Sequence, residues 1–222
     1  MDDTAIPGGE LFDNRDGEGR LRVGVLISGS GTNLQALIDA CERHEINATV
    51  AVVISNKHDA FGLERARKAD IPAVFVDRTA YTTISAYNHA IAEALDDHAV
   101  ELVVMAGYMR LLGQEVLQAF PGRVMNLHPA LLPAFPGASG IKEAFEYGAK
   151  VTGVTVHFAD EHFDRGPVIA QEVVRIAEDD TVATLEAKIH AVEHGIVVEA
   201  VGLFADGRLE INGRKVRVLP ER

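Results

Sequence analysis

The stretch VLISGSGTNLQ, residues Val25–Gln35, decides the fold of this 222-residue chain. An apolar run ends at Ile27, a glycine-rich segment covers Ser28–Asn33, and a helical apolar pattern begins at Leu34. A strand that turns directly into a helix is typical of sheets whose parallel strands are joined by crossover helices. Backbone N–H groups at the start of such a helix attract anions, and glycines let a phosphate approach them. The stretch therefore predicts an α/β fold with a phosphate site after its first strand.

The same loop disfavours the common nucleotide motifs. Leu34 stands in place of the third glycine of the dinucleotide fingerprint, and no Lys-Ser or Lys-Thr pair closes a P-loop. The second strand ends in Ser55-Asn56-Lys57, without an acid for a ribose. We therefore expect a small phosphorylated metabolite as the ligand of this loop. We also expect Thr32 to cap the helix that follows the loop. A tight strand-to-helix turn without a ligand is the alternative interpretation.

Short apolar runs alternate with helical patterns along the rest of the chain. The runs predict strands at Arg22–Ile27, Val50–Ile54, Ala73–Val76, Leu102–Ala106, Arg123–Leu127, Gly153–Phe158 and Val168–Val174. The helical patterns predict helices near Asn33–Arg43, Phe61–Ala69, Thr83–His98, Gly113–Phe120 and Thr181–Phe204. We expect a Rossmann-like, mostly parallel twisted sheet with helices on both faces. After His128, prolines and glycines up to Gly140 predict a long loop.

Composition and charge narrow the classes of function. The chain has 21 lysines and arginines against 33 aspartates and glutamates, a net charge of −12, which disfavours a nucleic-acid partner. No apolar segment is long enough to span a bilayer, and the start lacks the basic and apolar parts of a secretory signal. Cys41, the single cysteine, cannot form an intramolecular disulfide and lies on the apolar stripe of a helix. We expect it to be a core residue in a cytoplasmic protein.

The chain is predicted to divide into three parts. Residues 1–20 are rich in proline, glycine and acidic side chains and show no apolar periodicity, so we expect a disordered extension. Residues 21–207 carry the strand and helix patterns and form the predicted domain. Residues 208–222 form a tail with a possible hairpin around Asn212-Gly213.

Asn126 and His128 lie at the end of the fifth predicted strand. Because side chains alternate along a strand, the two point to the same side, at the carboxyl edge where such sheets bind ligands. An asparagine N–H can stabilise negative charge that develops on an oxygen, and a histidine moves protons near neutrality. Asp164 lies in a polar turn and would raise the pKa of His128 if it faced the imidazole. Taken singly, such residues more often anchor loops or form turns.

Two further segments carry chemistry. Met105–Leu112 follows a buried strand and offers apolar groups beside Arg110, so it can wall a flat heteroaromatic ligand or simply connect strand to helix. The segment His190–His194 matches a zinc-peptidase pattern in which two histidines one helical turn apart bind the metal. A third ligand has no clear candidate beyond scattered acids such as Glu199, so we do not expect a metal site. His157, in a strand, is interpreted as structural.

Together these motifs resemble the phosphoribosylglycinamide formyltransferase family of purine biosynthesis. The resemblance covers residues 21–207 and rests on the order and spacing of five segments: Val25–Gln35, Ser55–Lys57, Ala106–Arg110, Asn126–Pro129 and Leu131–Pro133. It implies a formyltransferase fold and transfer of a formyl group from 10-formyltetrahydrofolate to the amine of glycinamide ribonucleotide, without a metal. It also implies a cis peptide bond at Leu132-Pro133. The sequence is compatible with a monomer or a homodimer.

The resemblance further implies a role for each site residue. The catalytic residues would be Asn126, which polarises the formyl oxygen, His128, which moves protons, and Asp164, which tunes His128 and orders water. The N-terminal half would hold the acceptor's phosphate and ribose through Gly31, Thr32 and Asn33, with Glu193 reaching it from the long helix. The C-terminal half would hold the folate through Asn126, Asp164 and a further set of residues: Met109, Arg110, Leu111, Leu112, Asp160, Glu161, His162 and Phe163.

Some positions depart from the residues usual in the family. Ile84 stands where an arginine linked to folate is frequent, Ala130 replaces a serine, and Arg165 replaces a small residue beside Asp164. Val197-Val198 replaces an aromatic-proline pair, and Gly137–Ile141 is less polar than usual. These departures bear on the affinity for folate or acceptor and leave the reaction type unchanged.

Other activities use a similar trio or a similar loop. Formyltransferases that act on initiator transfer RNA usually add a basic C-terminal domain, and formyltetrahydrofolate hydrolases add an N-terminal regulatory domain; neither addition is expected in this chain. A nucleotide-sensing module without catalysis would keep the phosphate loop but has no need of Asn126, His128 and Asp164 together. The loop and the trio in one chain therefore favour a ribonucleotide acceptor.

Overall fold

Strands and helices alternate along the chain in the computed structural model, which describes residues 19–162 and 164–221. The strands are β1 (Leu21–Ile27), β2 (Ala48–Ser55), β3 (Ala73–Phe75), β4 (Leu102–Met105), β5 (Val124–His128), β6 (Val151–Phe158), β7 (Val168–Arg175), β8 (Leu209–Asn212) and β9 (Lys215–Val218). The helices are α1 (Thr32–Glu42), α2 (Phe61–Lys68), α3 (Ile84–Asp96), α4 (Gln114–Ala119), α5 (Gly140–Tyr147) and α6 (Val182–Ala205). A 3-10 turn at Arg78–Ala80 precedes α3.

These strands form one sheet in the order β3-β2-β1-β4-β5-β6-β7-β9-β8. Neighbours from β3 to β5 pair parallel, and so do β7 and β9. β6 pairs antiparallel with both β5 and β7, and β8 pairs antiparallel with β9. The predicted mostly parallel α/β class is confirmed, with the antiparallel pairs gathered in one half of the sheet.

Two hydrophobic cores hold helices against the two faces of this sheet. Along β1, Val23 and Val25 contribute to the first core, with α1, α2 and α6, whereas Leu26 contributes to the second. Side chains of α3, including Ile91, complete the second core. Alternation along the strand explains why one strand serves both layers. Burying one such side chain stabilises the fold by about 1.5–3 kcal/mol, so each layer contributes substantially.

Helix α1 presents its apolar stripe to the first core, as its sequence pattern predicts. Leu34, Leu37, Ile38 and Cys41 are all buried. Burial raises the pKa of the Cys41 thiol to about 11. The prediction that Cys41 is a core residue is confirmed.

One local prediction was wrong, and one helix was not predicted. Thr32 does not cap α1, because the N-cap is Gly31, whose φ of 69° places it in the left-handed region that a threonine strongly disfavours. Residues 129–139 form the predicted long loop, and helix α5, which the sequence patterns did not predict, begins at Gly140 and ends before Gly148 at φ 79°. Its apolar residues Ile141, Ala144 and Phe145 do follow helical spacing, but the helix is short and bordered by glycines.

Some predicted segments lie partly outside the described residues. The predicted extension at residues 1–20 is described only at Gly19 and Arg20, and Phe163 and Arg222 are likewise outside. In the tail, β8 and β9 pair antiparallel from Leu209↔Val218 to Asn212↔Lys215. Within the described ranges, every helix is too short or too polar to cross a membrane.

Candidate active site

Asn126, His128 and Asp164 converge at the carboxyl end of β5. Asn126 and His128 project to one face of the sheet, and Asp164 reaches them from the turn between β6 and β7. Asn126 Nδ2 donates to Asp164 Oδ1 at 3.3 Å, and His128 Nδ1 lies 3.5 Å from Asp164 Oδ2. The structure thus brings together the three residues that the sequence nominates for catalysis.

The Asp164 carboxylate is buried but well supplied with donors. Its side chain is 1% exposed, and the backbone N–H of Gly137 donates to Oδ2 at 2.8 Å. Burial alone would raise the pKa of Asp164, but the His157 ring, the Gly137 N–H and the charge on His128 together hold this pKa below its ordinary value. Asp164 is therefore an anion at neutral pH and presents fixed negative charge to both imidazoles.

Both ring nitrogens of His128 face acceptors. Nε2 lies 2.9 Å from the backbone oxygen of Phe135, and Nδ1 faces Asp164. A neutral imidazole has a single N–H donor and can satisfy one of these acceptors, whereas the doubly protonated ring satisfies both. His128 is therefore held between two acceptors, one at each ring nitrogen.

His157 belongs to this site, and its interpretation as merely structural was incomplete. It is 1% exposed and lies opposite Asn126 in the β5–β6 register. Its Nε2 is 3.1 Å from Asn126 Nδ2 and 3.7 Å from Asp164 Oδ1, while Nδ1 faces the Phe158 oxygen at 2.9 Å. The signal that could have revealed it is the antiparallel pairing of β6 with β5, which sets His157 beside Asn126.

Two residues at the site adopt backbone conformations that are rare for residues other than glycine. Phe135, whose oxygen meets His128, has φ 50°, and Asp164 has φ 52°. The left-handed region costs such residues of order 1–3 kcal/mol and persists only where surrounding contacts hold it. Both conformations aim a polar group at His128.

The predicted acceptor residues lie at the start of α1. Gly31 is buried and forms the N-cap, Thr32 is the first helical residue and half-buried, and Asn33 is buried. Gly31 packs so closely against α2 that an added Cβ would come 2.7 Å from the Gly62 Cα. Arg65 of α2 donates through Nε to the Ser30 oxygen at 2.8 Å. Contacts from α2 therefore hold this loop, and its backbone N–H groups lie at the N-terminus of α1.

Glu193 reaches this loop from α6. Its Oε2 accepts from Asn33 Nδ2 at 2.9 Å and lies 2.8 Å from His190 Nδ1. The hydrogen bond to Glu193 raises the pKa of His190. The Asn33 Oδ1 atom is buried and finds no hydrogen-bond partner among the described residues, which leaves an acceptor available beside the helix start.

The His190–His194 segment does not gather a metal site in the described part of the chain. No group of three or more His, Cys, Asp or Glu side chains in residues 19–162 and 164–221 is arranged to hold an ion. His190 instead faces Glu193, and the contact between Glu193 and Asn33 ties this part of α6 to the start of α1.

The predicted folate residues Met109–Leu112 follow β4 along the same edge of the sheet. Met109 and Leu111 are 62% and 61% exposed, whereas Leu112 is buried. The Arg110 guanidinium lies 5.9 Å from the centre of the Tyr87 ring, and the Tyr87 hydroxyl meets that of Tyr108 at 2.7 Å. Exposed apolar side chains beside a positioned cation suit a flat ligand with an acidic end.

The turn that carries Asp160, Glu161 and His162 contacts the start of α4, just after the Met109–Leu112 segment. Asp160 Oδ1 accepts from the His162 N–H at 2.8 Å, which stabilises the turn. Glu161 Oε2 receives a hydrogen bond of 3.4 Å from Gln114, the first residue of α4 and two positions after Leu112. The turn therefore lies close to the start of α4, directly after the Met109–Leu112 segment. Phe163, also predicted to contact folate, lies outside the described residues.

The departures noted in the sequence fall into two groups. Ile84 is 65% exposed at the start of α3, and Arg165 is exposed beside Asp164. Ala130 and Val197 are buried in the core. Leu132-Pro133 is cis, as the resemblance implies.

A model of the formyl transferase family matches residues 21–201. The chain belongs to this formyl transferase family. Formyl transferases use a folate co-substrate, and the chain is a folate-dependent enzyme of this class. The matched residues include Gly31–Asn33, the end of β5, Asp164 and Glu193.

Named relatives within the formyl transferase family are similar to this chain in sequence and structure. The chain is 41% identical over 183 residues to phosphoribosylglycinamide formyltransferase of Bacillus subtilis, covering 81% of this chain and 94% of the relative. It is 44% identical over 195 residues to the trifunctional purine biosynthetic protein adenosine-3 of Chironomus tentans, of which it spans 14% while 87% of this chain is covered. Glycinamide ribonucleotide transformylase 1 of Symbiobacterium toebii superposes with a TM-score of 0.89 at 52% identity, covering 90% of this chain and 95% of that structure.

Proposed function

We propose that this enzyme transfers the formyl group of 10-formyltetrahydrofolate to the amine of glycinamide ribonucleotide in de novo purine biosynthesis. The products are formylglycinamide ribonucleotide and tetrahydrofolate. The observation that carries the proposal is that the Asn126, His128 and Asp164 cluster and the Gly31–Asn33 loop share one edge of the sheet. The names of relatives that match along most of their length agree with glycinamide ribonucleotide as the acceptor and with transfer of a formyl group.

The reaction forms one bond between nitrogen and carbon and breaks another. The acceptor amine attacks the formyl carbon, the bond from that carbon to folate N10 breaks, and a proton moves from the attacking amine to N10. Negative charge develops on the formyl oxygen before the bond breaks. We assign its stabilisation to Asn126, whose Nδ2 exchanges its 3.3 Å contact with Asp164 Oδ1 for the formyl oxygen, because preorganised donors in a buried site are worth several kcal/mol there.

His128 is the group that we assign to the proton transfers. In the structure its Nε2 is engaged by the Phe135 oxygen, so the substrate must exchange with that oxygen before His128 can act. Asp164 stabilises the imidazolium through Nδ1 and orders water in the same site. His157 orients Asn126 and adds a second ring beside the Asp164 carboxylate.

The two substrates are assigned to opposite sides of this cluster. Gly31, Thr32, Asn33 and Glu193 hold the phosphate and ribose of the acceptor, with the helix N-terminus favouring the anion. The folate lies between Met109–Leu112 and Asp160–Asp164. We propose residues 21–207 as the catalytic domain, with the acceptor site in its N-terminal half and the folate site in its C-terminal half. Residues 1–20 and 208–222 are the proposed extension and tail.

We infer a cytoplasmic setting with small-molecule partners. The net charge of −12 opposes binding to nucleic acid or to an anionic membrane surface. A monomer or a homodimer both leave this site within one chain. Sedimentation analysis across a range of concentrations distinguishes these two states.

The decisive experiment mixes the purified protein with both substrates and follows deformylated folate and formylated product together. Equal amounts of both, formed only when glycinamide ribonucleotide is present, are expected. Folate deformylation without the acceptor would identify a hydrolase instead. Absence of turnover with or without acceptor would favour a binding module. Zinc added to chelator-treated protein serves as a control, since activity that depends on zinc would overturn the assigned roles.

A further inference from the structure

The Ser28 side chain joins three neighbouring strand ends. Its Oγ donates to Asn56 Oδ1 at 2.6 Å and accepts the backbone N–H of Met109 at 2.8 Å. Its own N–H donates to the Gly107 oxygen at 3.1 Å. Ser28 is 3% exposed, so these bonds are shielded from bulk water. One hydroxyl therefore links the ends of β1 and β2 to the segment that follows β4.

The partners of Ser28 belong to the two substrate sides. Three residues beyond Ser28, Gly31 begins the helix end assigned to the acceptor phosphate. Met109 is the first residue of the segment assigned to folate. Neither of those assignments includes Ser28 itself, so its hydroxyl can be changed without removing a ligand of either substrate.

We infer that Ser28 is a positioning residue that fixes the acceptor loop relative to the folate segment, an inference that rests on the proposed function. Transfer requires the amine and the formyl carbon to approach within about 3–3.5 Å, and a misplacement of about 1 Å costs roughly 100-fold in rate. Without the hydroxyl, each subsite keeps its own contacts but loses one of the links that set its distance from the other. The loss therefore falls on turnover and spares the separate binding of each substrate.

Ser55 offers a matched control at the end of the adjacent strand β2. It is 0% exposed, and its hydroxyl also makes two hydrogen bonds. Both bonds are to the Lys57 backbone: the hydroxyl donates to the Lys57 oxygen at 3.0 Å and accepts the Lys57 N–H at 3.0 Å. Ser55→Ala thus removes the same chemical group from an equally buried place, but every bond it breaks lies within one turn.

The experiment compares Ser28→Ala with Ser55→Ala. Binding of glycinamide ribonucleotide alone and of tetrahydrofolate alone is measured by calorimetry, and kcat is measured with saturating glycinamide ribonucleotide and 10-formyltetrahydrofolate. For Ser28→Ala we expect kcat to fall roughly 10- to 100-fold while both Kd values change less than about three-fold. For Ser55→Ala all three quantities stay within about two-fold of the wild type.

A second variant keeps the test valid if Ser28→Ala does not fold. Asn56→Ala removes one of the two partners of the hydroxyl, so kcat is expected to fall by a smaller factor with the same sparing of binding. Equal kcat for Ser28→Ala and Ser55→Ala, or parallel loss of binding and turnover, overturns the positioning role while the proposed function stands. A wild-type enzyme that forms no product overturns the proposed function and this inference with it.

Discussion

The two halves of the sheet build the site by different means. From β3 to β5 the strands are parallel, and the acceptor loop and Asn126 with His128 simply extend from strand ends. From β6 onward the pairing is mostly antiparallel, and Asp164, in the turn between β6 and β7, is aimed by a left-handed backbone conformation. The parallel half supplies a frame whose geometry is cheap to hold. The other half supplies groups whose placement requires support from their neighbours.

The largest expected effect comes from the residue where the two halves meet. His128→Ala removes the imidazole between Asp164 and the Phe135 oxygen, and we expect kcat to fall about 10²- to 10⁴-fold, the range for general acid–base catalysis. Binding of glycinamide ribonucleotide is expected to persist, because the residues proposed to hold its phosphate extend from the parallel half. Steady-state kinetics and calorimetry measure the two quantities. If binding and turnover fell together, His128 would be holding the fold rather than moving protons.

The frame itself can be broken at Gly31. An added methyl group would meet the Gly62 Cα at 2.7 Å, and the φ of 69° disfavours any side chain. Gly31→Ala is therefore expected to lower the free energy of unfolding by roughly 1–3 kcal/mol and to raise KM for the acceptor.

Gly29→Ala is the control in the same loop. A Cβ at Gly29 would meet no described atom within 4 Å. Urea denaturation is expected to place this variant within about 0.5 kcal/mol of the wild type. Similar destabilisation by both substitutions would mean that the loop tolerates neither and that the Gly31–Gly62 contact is not the cause.

At acidic pH the protein should lose the part of its free energy of unfolding that comes from ionised Asp164. The pKa of Asp164 is lower in the folded protein than in the unfolded chain, so the unfolded state binds more protons between the two values. The stabilisation is fully present above the ordinary aspartate pKa of about 3.9 and is lost as the pH falls through the lowered value. Asp164→Asn lacks this dependence. Unfolding curves measured from neutral to acidic pH should converge for the two proteins in acid; parallel curves would contradict the assignment.

The smallest expected effect concerns an exposed residue beside the proposed folate segment. Ile84 is 65% exposed at the start of α3, the helix that carries Tyr87 beneath Arg110. Ile84→Arg adds a cation for the carboxylates of folate, and exposed charge pairs contribute about 0.2–1 kcal/mol. We expect KM for 10-formyltetrahydrofolate to fall by roughly two- to five-fold. Ile84→Gln, polar but uncharged, should leave KM unchanged, and equal effects of both variants would rule out a charge contribution.

The sequence predicted the parallel half closely because its signals are local. A strand, a glycine turn and a helical stripe follow one another within Leu21–Glu42, and the alternation of Asn126 and His128 needs only one strand. The contacts that complete the site are distant in sequence. Asn33 and Glu193 are separated by 160 positions, and His157 meets Asn126 only through an antiparallel register. No periodicity within either segment encodes such pairings.

Helix α5 and the cap of α1 show a second limit of sequence patterns. Glycine at Gly140 reads as a loop residue, yet an added Cβ there would meet the Phe135 oxygen at 3.1 Å and His128 Nε2 at 3.4 Å. At Gly31 the glycine itself forms the cap that Thr32 was expected to supply. In both places glycine is favoured because another part of the chain lies close to where a side chain would begin.

The burial of Cys41 has a practical consequence for labelling. With its pKa raised to about 11, only about one thiol in 10⁴ is ionised at pH 7, and maleimide dyes react with the thiolate. A new cysteine placed at an exposed position, for example by Tyr147→Cys where the side chain is 81% exposed, would therefore take up a fluorophore selectively. The native thiol can stay in place, and the fluorescence of a single dye then reports on the α5 region in an otherwise unaltered enzyme.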